Sequence, residues 1–294
     1  MFTSVLVGLD GSTEAQVALA QAIIIGQRFH SRVVLVHVAP PPGYTSEMAL
    51  GAPWMEWTHG NVPSTRRQLE QAAELMLDDA SGAVRRAGLE AETVMREGLV
   101  TEVLREMAEE VGVVVVGRVG HRGAKAADTD RLGPDTRELI RRCPRPLLIA
   151  GSRPTPMDRV LVAYAGGPAS EGALAFASRF AGITGAHLDV LHVAPDFEVG
   201  RRTLAQASGA LSIAPLDFET HLVKGDLETA IPELISRLGS NTLFAGAHRE
   251  DSGWMVPSHT EGILRLTEIP VLVHMQPASP GARLSTAHRR SASR

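Results

Sequence analysis

The chain has 294 residues, of which 44% are hydrophobic and 21% charged, and its formal net charge is −4. This composition is typical of a globular protein, and the acidic balance gives no overall basic field that would attract nucleic acid or an anionic membrane. The single cysteine, Cys143, excludes an intrachain disulfide and fits a reducing compartment. No apolar run approaches the ~20 residues that span a bilayer, and no signal-peptide pattern opens the chain. We therefore expect a cytoplasmic protein with neither membrane nor nucleic acid as a partner.

Short apolar runs alternate with helical patterns along the first half. In chain order, the predicted elements are a strand over SVLVGL, a helix from Thr13 to Phe29, a strand over RVVLVHV, a helix from Thr65 to Arg86, a strand over ETVMR, a helix from Val100 to Glu109, a strand over VVVVG, a helix from Asp135 to Arg142 and a strand over PLLIA. Near-continuous Val, Leu and Ile runs favour a parallel sheet covered on both faces. The pattern predicts a doubly wound α/β layer, in which ligands bind beyond the carboxyl ends of the strands.

The second half repeats the first. The motifs VLV and HVAP each recur with an offset of 155 residues, and the offset falls to 127, 129 and 124 at later matching positions. A repeat of this kind indicates two homologous domains. We place them at 1–151 and 158–276, joined by the proline-containing linker SRPTPM. The tail 277–294, rich in Ser, Ala, Pro and Arg, is predicted to be disordered.

Four motifs carry a family resemblance: VLVGLDGST, LVHVAP, VVVVGRVG and LIRRCPRPLLIA. With them the chain resembles a tandem form of the universal stress protein family. The resemblance implies two domains, each a five-stranded parallel sheet in the order 3-2-1-4-5 with helices on both faces. It also implies pairing through the last strand, as a homodimer or as a pseudo-dimer within one chain. One branch of the family binds ATP through a Gly-x2-Gly-x9-Gly-Ser/Thr loop, and a second branch lacks that loop and does not bind ATP.

Asp10 follows the first predicted strand. The resemblance implies that the aspartate at this place bonds the adenine or its ribose, and that the backbone near Val38 reads the edge of the base. A carboxylate suits this role because it accepts two donors in a fixed plane. Alternatively, Asp10 begins the D-G-S turn and caps the following helix. The two roles are compatible.

The segment after the fourth strand has the start of the glycine pattern and a changed end. Gly117 and Gly120 reproduce Gly-x2-Gly, where glycines let the backbone approach ribose and phosphate and adopt positive φ. The alternative is that they are ordinary glycines between a strand and a loop. Twelve residues, and not nine, separate Gly120 from Gly133, and Pro134 replaces the Ser/Thr. Thr136 could supply a hydroxyl one turn further in.

The changed end weakens the predicted phosphate site. Pro134 suits the first turn of a helix but supplies neither a hydroxyl nor an N–H, and Asp135 complements the helix dipole but repels phosphate. Two lost donors at roughly 1–3 kcal/mol each correspond to a loss of about 10- to 1000-fold in affinity. Four loop cations could bind phosphate or could simply be solvated: Arg118, Arg122, Lys125 and Arg131.

The second half departs further from the pattern. Ala165 stands at the aspartate position, Arg249 at the second glycine, and Pro257 with Ser258 at the closing pair. We therefore expect the second domain to have a structural role. Aromatic residues in predicted loops at the carboxyl ends of strands are interpreted as a domain or subunit contact, or as a lid over a base: Tyr44, Trp54, Trp57 and Trp254.

The sequence shows no set of nucleophile, base and acid, and no Cys/His cluster that points to a metal. His37 and His192 recur in the repeats but end strands, which favours hydrogen-bonded core histidines. The first hypothesis is a stress-response regulator that binds an adenine nucleotide of the ATP type in its N-terminal domain, with Mg²⁺ as a companion of the nucleotide. The alternatives are a scaffold that acts through protein contacts, a binder of cAMP or AMP, and a slow ATPase.

Overall fold

The computed structural model describes residues 1–41, 66–120, 132–248 and 259–276. Within these ranges the strands are β1 Ser4–Gly8, β2 Arg32–Ala39, β3 Ala91–Glu97, β4 Val113–Val116, β5 Leu147–Ile149, β6 Arg159–Ala163, β7 His187–Val193, β8 Phe218–Val223, β9 Thr242–His248 and β10 Val271–Gln276. The helices are α1 Thr13–Phe29, α2 Arg66–Arg86, α3 Val100–Ala108, α4 Pro134–Arg142, α5 Pro168–Thr184, α6 Phe197–Leu211, α7 Leu227–Leu238 and α8 His259–Leu266. None of these helices is both long and apolar enough to cross a membrane.

The strands form one continuous sheet in the order β3-β2-β1-β4-β5-β10-β9-β6-β7-β8. Each half alone has the order 3-2-1-4-5 with parallel neighbours, so the predicted doubly wound α/β fold is confirmed. The halves meet where β5 pairs with β10 in antiparallel fashion, with Ile149 opposite Val271. Because this pairing reverses direction, the carboxyl ends of the two half-sheets lie at opposite edges of the whole sheet.

Helix α1 illustrates how local sequence fixes an element. Ser12 is its N-cap, and the Ser12 hydroxyl accepts a hydrogen bond from the Ala15 N–H at 3.1 Å. The helix ends at His30, which adopts a left-handed conformation with φ 52°. Small buried residues such as Ala18 and Ala22 face the sheet, and this lets the helix lie close to the strands.

Aromatic residues tie the two halves together on one face of the sheet. Phe2 and Phe29 come from the first half, and Phe176 and Phe180 come from α5 in the second. The ring centroids of Phe2 and Phe176 are 5.7 Å apart, and those of Phe29 and Phe180 are 5.6 Å apart. These distances are within the range of favourable aromatic pairs, so one apolar cluster spans both halves.

The predicted linker is bonded to α1. Gln21, which is fully buried, donates from its side-chain amide to the Thr155 carbonyl at 3.0 Å and accepts from the Thr155 N–H at 2.8 Å. Met157, at the end of the linker, is only 1% exposed. The segment between the halves is therefore part of the packed structure and does not act as a free tether.

Several sequence predictions concern residues outside the described ranges. These residues are Tyr44, Trp54, Trp57, Arg122, Lys125, Arg131, Arg249, Trp254, Pro257, Ser258 and the tail 277–294. The interpretations given to them above stay predictions.

Candidate functional site

The candidate site lies at the carboxyl edge of the first half-sheet, where β1 is flanked by β2 and β4. The β1–β2 pairing ends with Gly8 opposite Val36, so Val38 extends beyond the end of β1. On the other side, the β1–β4 pairing ends with Val7 opposite Val115. Strand β2 therefore extends past the end of β1, whereas β1 and β4 end level with each other. We call the step between the end of β1 and the Val38 backbone the notch; in doubly wound sheets, ligands bind at this edge, where the strand order reverses.

Asp10 lies in this notch and supports the turn into α1. Its Oδ1 accepts hydrogen bonds from the Ser12 N–H at 3.0 Å and from the Ser12 hydroxyl at 2.5 Å. The turn predicted at this position is confirmed, but Ser12, and not Asp10, caps the helix. The other oxygen, Oδ2, lies 3.3 Å from the position that a Cβ on Gly120 would occupy. Asp10 and Gly120 are thus adjacent across the notch.

His37 lies beneath Asp10 and is 4% exposed. Its Nδ1 is 2.8 Å from the Leu9 carbonyl oxygen, and because a carbonyl can only accept, Nδ1 carries the proton. Burial lowers the pKa of His37 below its ordinary value, although the bond to Leu9 and the Asp10 carboxylate act in the opposite direction. The His37 imidazole therefore fixes the end of β1 through its bond to Leu9. The prediction of a hydrogen-bonded core histidine is confirmed.

Gly117 is required by helix packing. A Cβ at this position would lie 2.9 Å from the Glu14 Cβ, in the first turn of α1. At the equivalent Gly246 of the second half, a Cβ would lie 2.1 Å from the Ala169 carbonyl oxygen in the first turn of α5. Both glycines therefore allow a helix to approach the sheet, which explains them without a ligand.

Gly120, Gly133 and Thr136 come together at the start of α4. The Gly133 N–H donates to the Arg118 carbonyl at 3.0 Å, and a Cβ on Gly133 would lie 3.2 Å from the Gly120 nitrogen. The Thr136 hydroxyl is buried and donates to the Gly117 carbonyl at 3.1 Å. These bonds hold the loop against α4, and they direct the Gly133 N–H and the Thr136 proton toward the protein.

Two expectations for this loop need correction. Positive φ was expected at Gly117 and Gly120, but neither of these glycines has it. Gly133 has φ −68°. Close approach of the backbone, and not a left-handed conformation, is what these positions require. Helix α4 begins at Pro134, one residue before the predicted start, with Gly133 as an N-cap that makes no side-chain bond. The proline is thus accommodated at the first helical position as expected.

Arg118 is engaged with the second half of the chain. Its guanidinium donates to the carbonyl oxygens of Leu264 and Ile269, the latter at 3.0 Å, and makes a longer bond of 3.4 Å to Ala150. The sequence suggested a phosphate ligand or a solvated cation, and the structure corrects both interpretations. Arg118 joins the candidate loop to α8 and to the connection between α8 and β10.

The equivalent edge of the second half has lost the acidic residue. Ala165 follows Tyr164, and the Tyr164 carbonyl receives a bond from the His192 Nδ1 at 2.7 Å, as Leu9 does from His37. The turn then continues through Gly166 and Gly167, with φ of 73° and 100°. The backbone arrangement is therefore repeated, but no carboxylate corresponds to Asp10.

Comparisons with known proteins agree with this architecture. The sequence profile described as "Universal stress protein family" matches residues 1–151 and 156–274. Universal stress proteins of Mycobacterium tuberculosis and Mycobacterium bovis are each 31% identical over 207 residues, which is 66% of this chain. The match spans 65% of the length of these relatives.

Solved structures share the whole fold. A universal stress protein from Archaeoglobus fulgidus has a TM-score of 0.74 and 18% identity, covering 94% of this chain and 99% of that chain. A functionally unknown protein from Pseudomonas aeruginosa has a TM-score of 0.63 and 19% identity, covering 98% of both chains. At these identities the likeness establishes the fold alone. Together with the two profile matches, it shows that the chain belongs to the universal stress protein family and carries two of its domains in tandem.

Proposed function

We propose that the first half binds an adenine nucleotide in the notch above β1 and that the chain acts as a nucleotide-responsive regulator in the stress response. The observation that carries this proposal is the position of Asp10, whose Oδ2 faces Gly120 across the notch. The adenine amino group and the ribose hydroxyls are donors, and a carboxylate is a matching acceptor. Because Gly120 has no side chain, its backbone can come close to a ligand that is bonded to Asp10.

Val38 supports the other side of the proposed site. It extends beyond β1 on the β2 strand, so its backbone borders the notch where an adenine edge would lie. Adenine presents both donors and acceptors along that edge, which backbone N–H and C=O groups can match. The proposed contacts to base and ribose therefore need no side chain other than Asp10.

The phosphate side of the proposed site is weaker. Pro134 has no N–H, and the Gly133 N–H and the Thr136 hydroxyl are bonded within the protein. Asp135 adds negative charge in the first turn of α4. We therefore expect each additional phosphate to contribute little, so that AMP or cAMP binds about as well as ATP. Mg²⁺ would strengthen ATP binding, because it offsets repulsion between the phosphates and Asp135.

Calorimetric titration of the full chain with ATP, ADP, AMP and cAMP, with and without Mg²⁺, tests the proposal. Asp10→Asn keeps an oxygen for the turn at Ser12 but removes the charge and one acceptor, and we expect it to weaken binding about 10-fold or more. Asp79→Ala, which removes an exposed carboxylate on α2, is the matched control and should bind normally.

The outcomes separate the two leading functions. No heat with any nucleotide at millimolar concentration would refute nucleotide binding and leave the scaffold function, which the internally bonded loop favours. Binding that is unchanged in Asp10→Asn would refute the assignment of the site. The cytoplasmic location and the oligomeric state stay predictions.

A further inference from the structure

Four ionisable residues share one face of the outer strands of the second half. His187 and Asp189 are two residues apart on β7, and Glu219 and His221 are two residues apart on β8. Side chains two apart on a strand point to the same face. Asp189 lies directly opposite Glu219 in the register between the strands, and Leu191 lies opposite His221. The four side chains therefore converge beside the last strand of the sheet.

Asp189 is the buried centre of this group. It is 1% exposed, and its Oδ1 lies 2.7 Å from the His221 Nε2 and 3.5 Å from the His187 Nε2. Its second oxygen, Oδ2, is buried without a hydrogen-bond partner among the described residues. A buried carboxylate is costly unless its charge and both oxygens are compensated. The described side chains leave one oxygen uncompensated.

The surrounding residues resemble the environment of a cation. One ligand atom each from Asp189, Glu219 and His221 lies within 4.8 Å of the others. His187 is held by a 2.8 Å bond from its Nδ1 to Asp217, which directs its Nε2 toward Asp189. Metal-binding histidines are commonly oriented by a carboxylate on the nitrogen that does not bind the metal.

The fold itself does not require this group. In the first half the same register places Val34 opposite Glu92, and Val94 stands at the position of His221. Val34 is buried in the apolar cluster on this face of the sheet. Only the acidic residue on the outer strand is shared by the two halves. The first half thus forms the same fold with valines at the positions of Asp189 and His221.

From this arrangement we propose a binding site for a divalent transition-metal ion of the Zn²⁺ class, with Asp189, Glu219 and His221 as ligands. The fourth position is taken by water or by His187. Mixed imidazole and carboxylate ligands suit zinc, which binds them at about 2.0–2.2 Å. Asp189 provides the buried anchor, and the exposed Glu219 lets the ion enter from solvent. The site is separate from the nucleotide notch and does not depend on it.

Binding requires a small rearrangement. Tetrahedral ligands at these bond lengths lie about 3.3 Å apart, so the 2.7 Å contact between His221 and Asp189 must widen. The His221 Nε2 must also give up its proton, because only an unprotonated nitrogen binds a metal.

Equilibrium dialysis of the full chain against ZnCl₂ at pH 7.5 tests the site. We expect one ion per chain with a dissociation constant below about 10 µM. The double variant Asp189→Val, His221→Val reproduces the first-half residues and should fold, and its affinity is expected to fall about 100-fold or more. Glu219→Gln should weaken binding, whereas Glu92→Gln, its counterpart in the first half, should not.

Circular dichroism of each variant establishes that it is folded before binding is compared. Wild-type protein that retains no zinc at 10 µM, a concentration where a site of this kind is well populated, would overturn the proposal. Zinc retained equally by a folded double valine variant would also overturn it, because the ion would then be bound elsewhere. The same holds if Glu92→Gln weakens binding as much as Glu219→Gln does.

Discussion

Replacing Arg118 by methionine tests how the two halves are held together. Methionine keeps much of the unbranched side chain and removes the guanidinium, so the change isolates the bonds to the carbonyl oxygens of Leu264, Ile269 and Ala150. These acceptors lie 146 and 151 residues away in the second half, and 32 residues away at the end of β5. The bonds therefore contribute to the folded arrangement of the halves and not to any local element.

The expected magnitude follows from the geometry. Hydrogen bonds from a charged donor contribute about 1.5–3 kcal/mol each. The bond to Ala150, at 3.4 Å, is near the limit and contributes little. The two remaining bonds involve a half-buried guanidinium, which favours the lower end of the range. Arg118→Met is thus expected to lower the free energy of unfolding by about 3 kcal/mol.

Urea unfolding followed by far-UV circular dichroism measures this loss. The matched control is Arg96→Met, which removes an exposed guanidinium on β3 and should change stability by less than about 0.5 kcal/mol. A loss of less than about 0.5 kcal/mol in Arg118→Met would refute the argument that Arg118 joins the halves. Calorimetry on the same variant adds a second comparison. If Arg118 bound the phosphates, Arg118→Met would lose more affinity for ATP than for cAMP; because Arg118 is bonded to the second half, we expect no such difference.

Two further predictions concern packing and pH. Gly246→Ala would bring a methyl group to 2.1 Å from the Ala169 carbonyl oxygen and should lower the free energy of unfolding by about 3 kcal/mol or more. Gly209→Ala adds a methyl group in open space on α6 and should raise the free energy of unfolding by about 0.5–1 kcal/mol. Equal urea midpoints for the two variants would contradict both predictions. Burial lowers the pKa of His37 and of His274 below 6.5. The unfolded chain then binds more protons than the folded one, so stability should decline as the pH falls below about 6.5, and less steeply in His274→Leu than in the wild type. Parallel pH profiles of the urea midpoint would contradict the assignment to His274.

The sequence predicted what depends on local pattern and on the general geometry of parallel sheets. Apolar runs located the strands to within a few residues, and the family resemblance supplied their order. The resemblance implied that Asp10 and Gly120 belong to one site. They do lie close together, because the carboxyl ends of β1 and β4 meet at one edge of the sheet. Ser12 was missed as the cap, since aspartate and serine are both favourable N-caps and the spacing suited either.

Long-range partners were not predictable in the same way. Nothing near Arg118 in the chain indicates that its acceptors are carbonyl groups in the second half, because backbone acceptors leave no signature in the sequence. The Asp189 group does have a signal in the sequence, although the pattern is not a recognised metal-binding motif. The pairs His-x-Asp and Glu-x-His lie on segments that the repeat places on neighbouring strands, so that four ligand-type residues share one face. The two pairs are about 30 residues apart, and each is also compatible with an ordinary strand.

The two halves that meet at the antiparallel junction of β5 and β10 are similar but not identical in sequence. In a dimer of identical chains every substitution occurs twice, on both sides of the axis. Here Ala247 of the second half stands at the position of Arg118. Arg141 of the first half pairs with Glu261 of the second at 2.8 Å, but Arg137 stands at the position of Glu261 in the first half. Each of these contacts between the halves therefore exists on one side only. Because the two halves belong to one chain, symmetry does not constrain them, and each edge of the sheet can carry residues that the other edge lacks.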